Sequence, residues 1–476
     1  MLSLKNIFYT SEVEDSKHLQ AIYWTLLIGF FLSYNVWISK NHFTKTAVEW
    51  SHHVCPPYFQ NCDSLYFLAG KPYSYDSYIL YTVLASFILV SAFCALKKSW
   101  NWAIGLLIPP FLYKFIYVTL FTYLPIVDFE YFHLPLVLIF IFCKNKLYFL
   151  KRAWVLNYLF AGTMKFTESW IVGSYFSSIM IGMPLFPNVL IPFITNGVAL
   201  FEGITPWFLL SSNRKIRLTS LGMWLVFHVY SIIMVGFLYP LYCAPLLIAF
   251  FLPDHTSQEN RKVSLIPNWK GWLVLAMLVA VNIVPFLIPT NRLFTLQGLK
   301  FGVSMFDANH QFVSIEKAFF KDGKTLSQTR KSNEAMRRAN PYNHWFGLQH
   351  FCKKQNLERL EWKYLSSVNG GPFYKLVDTH DVCNLKYKAF SKNEWLLTPE
   401  TGAPIVGYPS FSVPERLQLT NQKIVFDEKI VYLSRLQLFI EKHLGKFQFF
   451  YWFYWISIFI YFIVRRLRKD QTLSVK

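Results

Sequence analysis

Four ionisable residues sit inside apolar runs of this chain: His133, Lys165, Glu202 and His228. Such groups are costly to bury in hydrocarbon and are functional candidates by default. Lys165 follows Ala161-Gly162-Thr163-Met164 and precedes Phe166. Held among Phe160, Met164 and Phe166 it would be poorly hydrated, and a neutral amine there is a general base. It could take the proton of a weak acid dissolved in the bilayer, such as a hydroquinone. His133 opens an earlier run in Tyr131-Phe132-His133-Leu134. At about 1.5 Å of rise per residue, descending from His133 and returning to Lys165 brings both side chains to one depth. The spacing therefore predicts a shared pocket near one face. Glu202 and His228 lie roughly 12–16 Å from the basic group Arg214, Lys215 and Arg217 by the same rise, and they are expected to pair as a second layer.

Each residue also has a plainer use. Lys165 at a helix end can snorkel to the headgroups, and His133 can be an interfacial histidine. Glu202 and His228 can form a structural pair that holds a membrane bundle together.

The elements that must position these residues follow from composition. Of 476 residues, 54% are hydrophobic, 19% aromatic and only 16% charged, where a soluble domain carries about a quarter charged. That balance indicates a multi-pass membrane protein and excludes disordered, collagen-like and disulfide-dense secreted chains. The net charge of +20 does not point to nucleic acid, because the basic residues cluster beside the ends of apolar runs, as the positive-inside rule requires.

Apolar runs lie near 21–38, 77–96, 102–124, 131–143, 154–165, 188–210, 219–237, 238–252, 269–289 and 447–464. About ten transmembrane helices with a cytoplasmic N-terminus put every basic cluster on one side, including the four charges Lys144, Lys146, Lys151 and Arg152 between the fourth and fifth runs. The first run is read as a retained anchor, since no cleavage site follows it. The expected organisation is a cytoplasmic segment 1–20, an all-α membrane domain 21–289, a small external α+β domain 290–446, a C-terminal transmembrane helix 447–464 and a basic tail 465–476.

In the external segment, Asp322-Gly323 between β-rich stretches reads as a hairpin, and 333–356 as a helix interrupted at Asn340-Pro341. Cys55, Cys62, Cys352 and Cys383 fall on the external side, where disulfides form. Local pairs (Cys55–Cys62 and Cys352–Cys383) compete with cross-links from loop to domain, and spacing alone does not choose. The spacings match no zinc ribbon or finger, so no metal is predicted. Asn369-Gly370-Gly371-Pro372 reads as a turn. It is either a plain hairpin loop or a loop facing a peptide or lipid over the membrane pocket.

Leu159 through Gly173, with Ala161-Gly162, Lys165, Trp170 and Gly173 in order, resembles the signature of the vitamin K-dependent gamma-glutamyl carboxylases. That signature is shared with the horizontally transferred transmembrane (HTTM) domain proteins. Phe201-Glu202-Gly203 with Pro206-Trp207, Phe227-His228 with Gly236-Phe237, and Phe132-His133-Leu134 are similar to further elements of that family, spanning about residues 20–290. Gly298 through Phe306, and the stretch from Arg337 to Cys352 with Pro341 and Gln349, are similar to its outer segments.

The resemblance implies reduced vitamin K or menaquinol as cofactor, with O2 and CO2 as co-substrates. Lys165 would deprotonate the quinol, His133 would assist, and His228 would orient the pocket. Phe160, Met164, Phe166 and Glu202 would line the cofactor site. Oxygenation of the quinol would drive carboxylation of a peptide or protein on the non-cytoplasmic side. The expected setting is a bacterial inner membrane or the ER membrane, with the soluble domain periplasmic or lumenal and with lipid or quinone as the other partner. The external domain is shorter than in the animal carboxylases and has no counterpart of their propeptide-binding surface. The alternative is a non-catalytic HTTM-type membrane binding or maturation protein. On the enzyme reading, Lys165→Ala is expected to remove activity and leave stability nearly unchanged.

Overall fold

In a computed structural model the chain is described over residues 7–39, 54–62, 75–121, 128–177, 183–235, 238–253, 268–298, 301–302, 310–331, 340–369 and 373–403, with strand residues 416–419 and 422–425 and a few residues nearer the C-terminus. The expected C-terminal span and basic tail, and the cluster Arg261-Lys262, lie outside the described residues.

The apolar runs fold as helices: α1 (Lys17–Ser39), α2 (Tyr75–Leu96), α3 (Ile108–Ile116, preceded by the short helix Trp100–Gly105), α4 (Asp128–Phe142), α5 (Lys146–Met164), α6 (Ile191–Leu209), α7 (Arg214–Val235), α8 (Leu238–Phe251) and α9 (Trp269–Leu287). Proline in the first turn starts α3 and α6, where no intrahelical N–H is lost.

About ten spans were expected. Among the described residues, four helical stretches are long and apolar enough to cross a membrane: Ile79–Leu96, Trp100–Thr119, Arg214–Ile233 and Trp269–Leu287. Glu130–Phe142 and Tyr239–Phe251 are apolar but shorter. The fifth run departs from expectation for a clear reason. Lys146, Lys151 and Arg152 are not loop residues; they belong to the first two turns of α5, and Lys146 and Lys151 are buried.

The ammonium of Lys146 donates to the carbonyls of Phe140 (2.6 Å) and Cys143 (3.1 Å). It thereby satisfies acceptors at the C-terminus of α4, where a cation is favoured. From the N-terminal segment, the Glu12 carboxylate accepts from the N–H groups of Asn145 (2.8 Å) and Lys146 (3.1 Å), capping α5 at its positive end. The tight α4–α5 turn therefore buries the Lys146 charge by pairing it with a helix end.

The helical part encloses a few ionisable groups within an apolar core and is apolar on its outside as well. Val226, Val229 and Ile233 of α7 are 71%, 64% and 55% exposed, whereas the ionisable side chains of its interior are enclosed. A contiguous exposed apolar face of this kind marks an interaction surface, a membrane among them.

Downstream of α9, a four-stranded antiparallel sheet forms from β1 (His310–Phe320), β2 (Thr325–Lys331), β3 (Leu357–Val368) and β4 (Tyr374–Thr379), in the order β2-β1-β3-β4. The β1–β2 turn contains Asp322-Gly323 as expected, with Gly323 at φ +81°, a region that only glycine enters at no steric cost. Between β2 and β3 lies α10 (Pro341–Lys354). Asn340 caps it by accepting from the Tyr342 N–H (2.9 Å), and Pro341 opens it. The helix packs on the sheet through His344, whose ring lies 4.4 Å from that of Phe312.

The cysteines form the two local pairs, Cys55–Cys62 and Cys352–Cys383. Noncovalent contacts hold the Cys55–Cys62 loop to the domain instead of a cross-link. Val54, Cys55 and Cys62 are buried in one core with Tyr342, Trp345 and Tyr387, and the Tyr342 hydroxyl donates to the Cys55 carbonyl (2.6 Å).

Inside the sheet, Glu316 accepts from the Ser314 hydroxyl (2.8 Å) and pairs with Arg330 (3.2 Å). Burial raises the Glu316 carboxyl above its ordinary value, against the opposing pull of Arg330 and Ser314. A carboxyl raised in the fold binds its proton more tightly there than in the unfolded chain. Its contribution to stability is present at acid pH and is lost as pH rises from about 4.3 through the raised value. The stability of the wild type relative to Glu316→Gln should therefore shrink between pH 4 and 7. Thermal unfolding of the full chain at several pH values measures this; a difference that grows with pH would contradict it.

Candidate functional site

Lys165 sits at the C-terminal cap of α5. Its ammonium forms an ion pair with the Glu202 carboxylate of α6, and the two residues are 3% and 2% exposed. The Trp170 ring lies 5.3 Å from the Lys165 nitrogen, in cation–π range. That ring is held in turn by its indole N–H, which donates to the Thr195 carbonyl (2.7 Å).

Gly162 makes the pair possible. A Cβ placed there would stand 3.0 Å from Glu202 Cβ and 3.1 Å from the Gly203 nitrogen, so α5 and α6 touch backbone to backbone one turn before Lys165. Gly162→Ala should force the helices apart at a cost of about 1–3 kcal/mol. A drop in the thermal midpoint of the purified protein would register this, and an unchanged midpoint would show that the helices give way freely.

His228 on α7 meets a different partner. The Tyr158 hydroxyl donates to His228 Nε2, and the Tyr158 ring stacks on Trp224 at 3.8 Å. His228 Nδ1 is buried with no hydrogen-bond partner. The expected pairing of Glu202 with His228 is thus replaced by Glu202 with Lys165 and His228 with Tyr158.

His133 on α4 lies in a third group. Lys114 of α3 donates to His133 Nδ1 and to the Ser33 hydroxyl (2.7 Å), and it pairs with Glu130 (2.6 Å). His133 Nε2 lies 2.9 Å from the Leu26 carbonyl of α1. The polar partners of His133 and Lys165 are separate sets, so the structure does not join them in one hydrogen-bonded pocket.

Sequence reasoning missed Lys114 and Glu130, although the signal was present. Lys114 is a charge inside the third apolar run, the same criterion that singled out Lys165. Glu130 precedes His133 by three residues and so shares its helix face.

Of the expected lining residues, Met164 is buried, and Phe160 and Phe166 are half-buried. Phe166 packs in one cluster with Trp170. The Arg292 guanidinium donates to the Met164 sulfur (3.3 Å). The Asn369 amide donates to the Ser174 hydroxyl (3.2 Å), so the turn after β3 meets the helical part a few residues past Trp170. Residues 370–372 of that turn lie outside the described residues. Among the described residues no group of three or more His, Cys, Asp or Glu is arranged to hold a metal ion.

No protein-family model matches the chain, and no curated protein or solved structure matches it.

Proposed function

We propose that the protein is a multi-pass membrane enzyme with about ten crossings that uses a reduced quinone, O2 and CO2 to modify a substrate at the non-cytoplasmic face. Lys165 is its base. The carrying observation is the enclosed Lys165–Glu202 pair at the end of α5, beside the seam where the external domain meets the helices. The two disulfides support an oxidising, periplasmic or lumenal side for that domain.

The residues around Lys165 suit a quinol headgroup. Met164, Phe166 and Trp170 supply apolar and aromatic walls, and Thr167 Oγ, two residues past Lys165, is buried with no hydrogen-bond partner. Bound there, a reduced quinone would supply the reducing power for the O2-dependent step. Lys165 would first pass its own proton to the Glu202 carboxylate, and the resulting amine would take the acidic proton of the bound quinol. Moving one proton within the pair interconverts its charged and neutral forms without importing charge. Trp170 keeps the ammonium in place, and the enclosure excludes water that would quench a strong base.

A second reading is a non-catalytic membrane binding or maturation protein. The near-complete burial of Lys165 favours it, since a structural pair looks the same. The experiment is epoxide formation from reduced vitamin K by the purified full-length protein, in air with bicarbonate, with a glutamate-containing peptide as acceptor. Epoxide from the wild type but not from Lys165→Met with Glu202→Gln supports the enzyme. No epoxide from a folded protein that binds quinol would leave the non-catalytic reading.

A further inference from the structure

Lys114 is enclosed completely, and the structure surrounds its ammonium with three polar partners from two helices. These are Ser33 Oγ of α1 (2.7 Å), His133 Nδ1 of α4 and Glu130 Oε2 of α4 (2.6 Å). An ammonium only donates, so Ser33 Oγ and His133 Nδ1 accept from it, and the Glu130 carboxylate is its ion-pair partner. Ser33 is oriented for the task, because its hydroxyl donates to the Gly29 carbonyl (2.9 Å) and leaves its lone pairs to Lys114.

The other side of the imidazole is equally determined. His133 Nε2 faces the Leu26 carbonyl at 2.9 Å. A carbonyl only accepts, so Nε2 carries the proton and Nδ1 is the bare acceptor for Lys114. The ring is clamped as well: Phe30 lies 4.7 Å and Tyr242 5.5 Å away, both edge-on. A Cβ at Gly29 would stand 2.7 Å from His133 Nε2 and 2.8 Å from Tyr242. Glycine at that point of α1 is what lets the imidazole reach the backbone.

We infer that Lys114 is a positioning residue. It fixes His133 as the neutral Nε2–H tautomer with both ring nitrogens engaged, so His133 pins α1, α3 and α4 together and does not exchange protons with a substrate. Glu130 is the counter-ion that makes the buried ammonium tolerable. The assignment stands on this geometry and needs no quinol chemistry. It deepens the reading above in one respect, by leaving acid–base work to Lys165 and Glu202.

The test is a nitrogen-15 spectrum of the histidine-labelled full-length protein, with His133 identified as the signal missing in His133→Asn. The wild type should show His133 protonated at Nε2, with a hydrogen-bonded, unprotonated Nδ1. The charge-balanced double variant Lys114→Met with Glu130→Gln should shift the Nδ1 signal to that of a free acceptor. A His133 protonated at Nδ1, or an Nδ1 signal unmoved in the double variant, would overturn the assignment. If the double variant does not fold, the wild-type spectrum alone still decides the tautomer. Thermal midpoints add an independent arm, in which Lys114→Met alone should fall further than the double variant. An equal or smaller fall would remove Glu130 as the counter-ion. Absence of epoxide would count against the quinol reading and leave these outcomes unchanged.

Discussion

Lys165→Met is expected to lose about 3–5 kcal/mol of stability, because the substitution leaves the Glu202 carboxylate buried with its charge unpaired. Both groups are enclosed where α5 and α6 touch, so water cannot readily replace the missing ammonium. This corrects the expectation that removing Lys165 would leave stability nearly unchanged, an expectation that treated the lysine as isolated. Pairing Lys165→Met with Glu202→Gln should recover most of the loss, since a neutral pair of similar volume is tolerated far better than a lone charge.

The two observables then separate. Stability should return in the double variant, while quinol-dependent activity should stay absent in both. Thermal unfolding in detergent and the epoxide assay report the two independently. A single variant as stable as the wild type would show that Glu202 is not held by Lys165. Activity retained in the folded double variant would remove Lys165 from the chemistry.

Replacing Cys352 and Cys383 with serine should destabilise the β-sheet domain by about 3–4 kcal/mol, from the chain entropy released when a loop of this length is opened. The two cysteines are 31 residues apart in sequence, and the bridge fastens the end of α10 to the turn that follows β4. Opening Cys55–Cys62, with a separation of 7, should cost less, about 2.5 kcal/mol by the same relation. Its loop also keeps its packing against Tyr342 and Trp345. Limited proteolysis of the full-length variants ranks the two directly. Faster cleavage after loss of Cys55–Cys62 than after loss of Cys352–Cys383 would show that loop docking, and not loop closure, controls the domain.

Much of the architecture is written locally in the chain. The run near 188–210 becomes Ile191–Leu209, and the run near 269–289 becomes Trp269–Leu287, because an uninterrupted apolar stretch of that length has few alternatives to a helix. Asp322-Gly323 marks its own turn, since glycine supplies the positive φ that the geometry needs. Asn340-Pro341 likewise marks the start of α10 (Pro341–Lys354), and the earlier part of the helix expected over 333–356 lies outside the described residues.

The errors have one cause. Lys146 was assigned to a loop by its charge, yet a helix end next to it offered carbonyls and changed where a cation could sit. Counting rise per residue grouped the candidates by expected depth but was blind to which helix faces which. Lys165 and His133 share a depth by counting, and each turned toward another neighbour.

By itself, then, the sequence determined the helical segments, the strand turn, the burden of charge inside an apolar protein and the list of residues able to do chemistry. These follow from periodicity, chain length and the free energy of transferring each side chain. The partners were decided only by the tertiary structure: Lys165 with Glu202, His228 with Tyr158, Lys114 with Glu130 and His133, and the local cysteine pairs over the cross-links. Rise per residue sets height along a helix. Rotation about the helix axis, and how closely two backbones can approach at a residue such as Gly162, set which side chains meet, and those emerge only when all the helices pack at once.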